Sequence, residues 1–289
     1  MPGKITKVYE GTDPGATPGR VFTASIGQEE IVQDGKFLDS LNLGLKGAIS
    51  TGAVAIEDFA GVLSEYTVRV GSETRILATM RQLCALYKLF YGEVPFIWEN
   101  TDATGNDFIG GVQVPIQAPA DGAKPFTHAA TRTAATNVGT ETLAIHARWS
   151  DDPGGKKPIH AVAIGHTTAG SAGYETLGFR IAPVGKLVGL ILQQVAPFAD
   201  GDIDVSIQRI NILEDGQRHS QMNALSCIGP RAGVSVGVLD PMDDLLKVFW
   251  SIDLRDIGGI EAKGKEITIQ LDVQDVSDAV TILPVLEVA

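Results

Sequence analysis

From Arg20 onward, apolar residues recur at every second position in short runs separated by glycine, proline and polar clusters. Val21 to Ile26 is the first run. Gly35 to Ile49 is the longest, with Leu41, Leu43, Leu45 and Ile49 alternating with Asn42, Gly44 and Lys46. A period of two over that length fits a strand with one buried face and does not fit a helix. The same rhythm opens Tyr66 to Phe90, where Tyr66, Val68 and Val70 alternate with Thr67 and Arg69. After a turn at Gly71 the spacing changes. Ile76, Met80, Leu83, Leu86 and Phe90 lie three or four residues apart, which predicts an amphipathic helix from about Ile76.

A similar phrase returns at Asp204 to Leu225. Val205, Ile207 and Ile210 lead through Leu213 to a turn at Asp215-Gly216, followed by a helix-compatible run through Met222 and Leu225. The two phrases are separated by about half the chain, which suggests two similar halves. Further strand signals lie at Phe108 to Ile116, Thr140 to Trp149, Ile159 to Ile164, Thr176 to Ile181 and Val184 to Val195. Arg231 to Leu239, Leu245 to Leu254, Glu266 to Val273 and Val280 to Val288 complete the series. Many short strands and few helices predict a mainly β protein built from antiparallel sandwiches or barrels. An α/β enzyme would alternate strands with helices of about 10 to 15 residues, and that pattern is missing.

Three stretches depart from the rhythm. Residues 1–19 carry Pro2, Pro14 and Pro18 with little periodicity and read as a flexible N-terminal arm. Residues 52–64 fit a short helix or a loop. Residues 92–136, with four prolines and the turn-rich TDATGND, read as a long surface excursion suited to partner contacts. The breaker cluster SDDPGGKKP marks a join, giving two expected domains at 20–150 and 151–289.

Composition narrows the function. The 289 residues are 44% hydrophobic and 20% charged, enough for two globular domains. With 23 basic and 35 acidic residues the net charge is −12, which opposes broad contact with nucleic acid. No run reaches the roughly 20 apolar residues of a membrane-spanning helix, and the N-terminus lacks the apolar core of a secretory signal, so the chain is expected to stay in the cytosol that made it unless it leaves within a larger assembly. Two cysteines, Cys84 and Cys227, fit a reducing compartment and read as buried thiols.

No catalytic set emerges. Gly233-Val-Ser-Val-Gly237 matches the letters of a nucleophile elbow, but its flanks are strand-like and the last histidine, His219, precedes Ser235. Gly259 to Lys265 copies most of a phosphate-binding loop, yet Glu266 stands where Ser or Thr is required, so it reads as a hairpin turn. His128, His146, His160, His166 and His219 form no metal-ligand spacing, and His146 and His160 read as surface or interface imidazoles. Asp151-Asp152 and Asp243-Asp244 read as solvated loop charge. Trp98, Trp149 and Trp250 are dispersed and make no stacking platform. No catalytic, cofactor-binding or metal-binding residue is therefore assigned, and no cofactor is expected.

The rhythm of IGQEEIVQDGKFLDSLNLGLKGAI (26–49), TVRVGSETRILATMRQL (67–83), GFRIAPVGKLVGL (178–190) and DVSIQRINILEDGQ (204–217) resembles the double jelly-roll major capsid proteins of the adenovirus-hexon lineage. The resemblance is to those of tailless bacteriophages with an internal membrane, and it spans most of residues 20–289. It implies two antiparallel eight-stranded jelly-roll barrels side by side, with short helices, and three chains forming a pseudo-hexagonal capsomer of an icosahedral shell. It implies a structural protein of the virion, made in the host cytoplasm, with no enzymatic activity. Its partners would be itself as a homotrimer, neighbouring capsomers, other capsid or vertex proteins and an underlying viral membrane, with no direct nucleic-acid contact. The 1–19 arm would reach a neighbour or the membrane, and the 92–136 excursion would form towers or trimer contacts. The alternative is a β-sandwich adhesin or carbohydrate-binding module.

Overall fold

The computed structural model describes residues 4–13, 21–26, 37–49, 61, 63–93, 96–99, 107–120, 124–132, 138–151, 154–167, 174–193, 207–223, 229–231, 234–238, 249–274 and 279–288. It is mainly β, in several antiparallel sheets, and divides into two compact units, Met1–His160 and Ala161–Ala289.

The first unit contains β1 (Lys4–Asp13), β2 (Val21–Ile26), β3 (Phe37–Ile49), β4 (Leu63–Val70) and β5 (Glu73–Ala78). Helix α1 (Met80–Tyr91) follows, then β6 (Phe96–Glu99), β7 (Asp107–Pro119), β8 (Phe126–Arg132) and β9 (Val138–Ser150). One ladder runs β1-β9-β3-β7-β6 and another β5-β4-β8-β2, all antiparallel. The division between units falls within β10 (Ile159–Val162). The second unit continues with β11 (Ile164–Thr167), β12 (Tyr174–Arg180), β13 (Lys186–Gln193), β14 (Ile207–Glu214), β15 (Gln217–Asn223) and β16 (Gly229–Arg231). After these come β17 (Val234–Val238), β18 (Phe249–Asp253), β19 (Ile260–Glu261), β20 (Ile267–Gln274) and β21 (Ala279–Glu287). Its ladders are β11-β21-β13-β18, extended by β17 and β16, and β12-β20-β14-β15.

Among the described residues, with β6, β10, β16, β17 and β19 set aside, each unit has eight strands paired in one order. The first strand pairs with the last, the last with the third and the third with the sixth. The second pairs with the seventh, the seventh with the fourth and the fourth with the fifth. A chain that crosses between two ladders in this way has the strand order of a jelly roll.

Strand alternation places the cores. Leu41, Leu43 and Leu45 of β3 face inward with Leu143, Ile145, Ala147 and Trp149 of β9, all buried, while Lys46 is exposed. In the second unit Leu187, Leu190, Leu192, Ile210, Ile212, Ile252, Ile269, Leu271 and Ile282 share one buried cluster. Helix α1 is held at both ends. Thr79 Oγ1 accepts from the Gln82 N–H at 3.2 Å and the Gln82 side chain accepts from the Thr79 N–H at 2.9 Å, a capping box. Gly92 closes the helix in the left-handed region, φ 73°, its N–H donating to the Lys88 carbonyl. The face between carries Met80, Leu83, Cys84, Leu86 and Leu89, all buried.

Four expectations from the sequence change. The helix begins at Met80, since Ile76 and Ala78 belong to β5 and pair with Val68 and Tyr66 of β4. Inward residues of the strand happened to continue the spacing of the helix. Gln217–Asn223 is a strand, because Asp215 (φ 49°) and Gly216 (φ 76°) are both left-handed and turn β14 back into a two-residue hairpin. Residues 92–136 contain β6, β7 and β8, so much of that stretch is ladder. The β8 alternation was hidden because its inward row is Phe126, His128, Ala130 and Arg132, only half of it apolar. Finally, Lys4–Asp13, inside the expected arm, form β1 against β9. The short element expected at 52–64 lies outside the described residues except for residues 61, 63 and 64, the last two opening β4.

Gly185 is a corner of the second unit. Its carbonyl accepts from the N–H groups of Ala262 and Lys263, both at 2.9 Å. Its φ is +62°, and a Cβ there would sit 2.0 Å from the Glu287 carbonyl oxygen. Gly185→Ala therefore loses more than about 2 kcal/mol of stability. In the first unit, Leu86→Ala costs about 2–5 kcal/mol by opening a cavity under α1, and Thr79→Ala costs about 1 kcal/mol by removing the cap. Denaturant unfolding of the three variants checks the ranking, with Thr79→Ala the mildest.

Candidate functional site

The sequence candidates stay apart in the structure. Ser235 lies within β17, paired in register with Pro230 and Asp253, so it is not on a strand-to-helix turn. Gly259 to Lys265 is a turn segment with Gly259 and Gly264 left-handed, as the sequence suggested. It is not a hairpin, however: Ile260–Glu261 within it form β19 and pair with β13, whereas β20 after it pairs with β12 and β14. Glu266 holds Arg180, with Nε and Nη2 donating to Oε1 at 3.0 and 2.7 Å. Trp149 and Trp250 are core residues, and Trp149 Nε1 donates to Thr6 Oγ1 at 2.9 Å. Cys84 is buried in the core, while Cys227, Asp152 and Asp243-Asp244 lie outside the described residues. Among the described residues no group of three or more His, Cys, Asp or Glu could hold a metal ion.

The histidines differ among themselves. His146 is half-buried in β9 opposite Lys7 and Asn42, and His160 is half-buried in β10. His166 lies in β11 and His219 in β15. His128, for which the sequence gives no particular environment, is in the core of the first unit. Its ring stands edge-on to Tyr9, with centroids 5.5 Å apart, and tilted against Tyr66 at 6.1 Å. Among the described residues neither imidazole nitrogen has a hydrogen-bond partner, nor does the buried Tyr66 hydroxyl. Burial pushes the Tyr66 phenol up and the His128 imidazole down to about 4. Burial, reinforced by the Arg75 charge, also lowers His160.

Two polar arrangements reach the surface. At the C-terminal end of α1, the rings of Tyr87 and Tyr91 are tilted against each other at 42° with centroids 4.9 Å apart, and Phe90 lies 6.5 Å from Tyr91. Burial, with a further push from the Asp39 carboxylate, raises the Tyr91 phenol to about 12. Asp39 is itself buried and pairs with Lys156 and, at 3.7 Å, with Arg148. In the second unit, Arg255 and Asp253 form a forked pair on an exposed turn, where hydrogen bonding lowers the carboxylate against its burial. Arg209–Asp272 and Lys265–Glu214 are exposed or half-exposed pairs. Arg209–Asp272 ties the neighbouring strands β14 and β20, and such solvent-facing pairs each contribute little alone. Ile5, Tyr91, Ile109 and Ile257 are the exposed large apolar residues among those described. Among the described residues no nucleophile, base and oxyanion donor converge; the geometry provides antiparallel sheets with charged pairs on their outer faces.

No protein-family model matches the sequence, and no curated protein matches it. Solved structures do match in fold. The MCP of STIV, Sulfolobus turreted icosahedral virus, has a TM-score of 0.68 at 10% identity, covering 99% of this chain and 97% of its own. The major capsid protein P2 of bacteriophage PM2 has a TM-score of 0.60 at 8% identity, covering 99% and 98%. A chain of the PBCV-1 virus capsid has a TM-score of 0.60 at 10% identity, covering 98% and 93%. The chain therefore shares, over nearly its whole length, the fold of viral major capsid proteins.

The buried histidine makes acid stability testable. The unfolded chain protonates His128 near 6.5, and the folded chain only near 4. Stability is thus complete above about pH 6.5 and falls as pH drops through the window between the two values, by roughly 3 kcal/mol in all. His128→Phe should flatten that slope in thermal melts from pH 7 to 4, and a slope equal to that of the parent chain would contradict the assignment.

Proposed function

We propose that this chain is the major capsid subunit of an icosahedral virus. In this reading each unit closes as an eight-stranded jelly-roll barrel. Three chains then present six roughly equivalent barrels and form a pseudo-hexagonal capsomer, since a duplicated unit under threefold symmetry approximates sixfold symmetry. The observation carrying this reading is the eight-strand order that recurs in both units, together with a fold match running over the full length of capsid chains.

The work of such a subunit is burial of surface between copies, and it requires large interfaces and no reacting groups. The partners are the other two chains of the trimer, neighbouring capsomers, vertex proteins and an underlying viral membrane. The acidic balance, net −12, favours a shell that does not hold bare genome directly. The chain is made in the host cytoplasm and ends in the virion; a bacterial host is part of the same reading. The adhesin or carbohydrate-binding alternative gains no specific observation, since Trp149 and Trp250 are core residues and not an exposed platform.

Light scattering of the purified chain over a range of concentrations tests the reading. A stable species near three times 30.5 kDa is expected, assembling into hexagonal arrays visible by microscopy. A chain that remains monomeric and forms no array under any assembly condition would overturn it, as would ester hydrolysis that disappears in Ser235→Ala.

A further inference from the structure

Tyr9 reaches His128 through an irregularity in β1. The register of β1 against β9 slips by one between Lys7 and Tyr9, leaving Val8 as the extra residue of a bulge. In a regular strand positions 7 and 9 would share a face. Here Lys7 is exposed and bonds to Glu10 at 2.8 Å, whereas Tyr9 and Gly11 lie opposite Ile145 and Leu143, in the inward row of β9. The bulge thus turns Tyr9 into the unit, where its ring stands edge-on to the imidazole. Gly11 leaves the room for it: a Cβ there would sit 2.0 Å from the Tyr9 hydroxyl oxygen.

His128 is therefore enclosed from two ladders. Tyr66 of β4 lies beside it in its own ladder, and Tyr9 of β1 comes from the other. The charges on these elements leave it isolated. Glu65 and Arg69 of β4 are exposed, as are Lys4, Lys7 and Glu10 of β1, and β2 carries no titratable residue. On β8 itself the next charge in the inward row is Arg132, also buried. None of these is a carboxylate turned towards the imidazole, and burial alone accounts for its lowered proton affinity. A proton on His128 creates a buried cation without a partner, and its cost is relieved only where water enters. Tyr66 is fixed by the pairing of β4 with both β5 and β8. Tyr9 sits beside the slip in the β1 ladder, where the regular run of bonds to β9 is interrupted.

We propose that the Tyr9–His128 contact is an acid-sensitive latch: a proton on His128 drives β1 away from β8, opening the first unit at this seam while β3, β4, β7 and β8 remain paired. The bulge places the latch, and Gly11 allows it to close. It does not depend on the capsid reading.

Hydrogen exchange of the full chain, followed by mass spectrometry from pH 7.5 to 5 and corrected for the intrinsic pH dependence, tests the latch. The enclosed imidazole takes its proton near 4 and a solvated one near 6.5, so opening of β1 should rise roughly thirtyfold over that range. Amides of residues 4–11 should accelerate by that factor, while those of β4, β8, β13 and β20 change little. His128→Phe keeps a ring in place and removes the titration, so the acceleration should vanish. Gly11→Ala pushes the Tyr9 ring aside and should speed the same amides already at pH 7.5. Circular dichroism melts confirm that the variants fold, and the exchange pattern of the parent chain decides the matter if either does not. Acceleration that is absent, or spread evenly over the first unit, overturns the inference. So does acceleration that persists in folded His128→Phe, or exchange of residues 4–11 left unchanged by Gly11→Ala.

Discussion

The ladder that closes each unit is the constraint on which the rest depends. In the first unit β9, the last strand, inserts between β1 and β3; in the second, β21 inserts between β11 and β13. Until that strand is in place, the third strand has an open edge and the inward leucines of β3 face water on one side. Backbone pairing and core burial are therefore satisfied together or not at all. The pairing partners are far apart in sequence, so the loop-closure entropy is spent before these contacts form, and folding of each unit is expected to be slow and highly cooperative.

That constraint explains the distribution of polar residues. Charged pairs such as Arg180–Glu266 and Arg209–Asp272 connect adjacent strands from outside, where solvent screening keeps each one weak. Polar groups in the interior are few, and where one lacks a partner, as with His128 against Tyr9 and Tyr66, it carries a stability cost that the packing of the surrounding ladder must offset. Under the proposed capsid role, a subunit that holds shape between copies would tolerate such a site.

A bulge of one residue shows how local irregularity acquires meaning in such a scaffold. Val8 interrupts the alternation of β1, which is why the first residues of the chain read as an unstructured arm. The same interruption carries Lys7 and Glu10 to a common face. β8 was obscured for a different reason: His128 and Arg132 occupy inward positions, so the period of two persists in geometry but not in hydrophobicity. In both cases the pattern failed where a residue was out of character for its face.

Alternation by itself determined the protein's class. Long period-two runs such as Leu41, Leu43 and Leu45, punctuated by glycine, allowed only a mainly β fold, and the recurrence of one phrase half a chain later indicated two related parts. The phrases around Tyr66 and Asp204 indeed supply the fourth and fifth strands of the two units. The tertiary structure decided everything that depends on partners: whether Ile76 and Met222 sit in strands or helices, which strands neighbour one another, and which histidine is buried. The physical reason is that a side-chain period reports which face a residue occupies, while pairing and register are fixed by strands more than a hundred residues away.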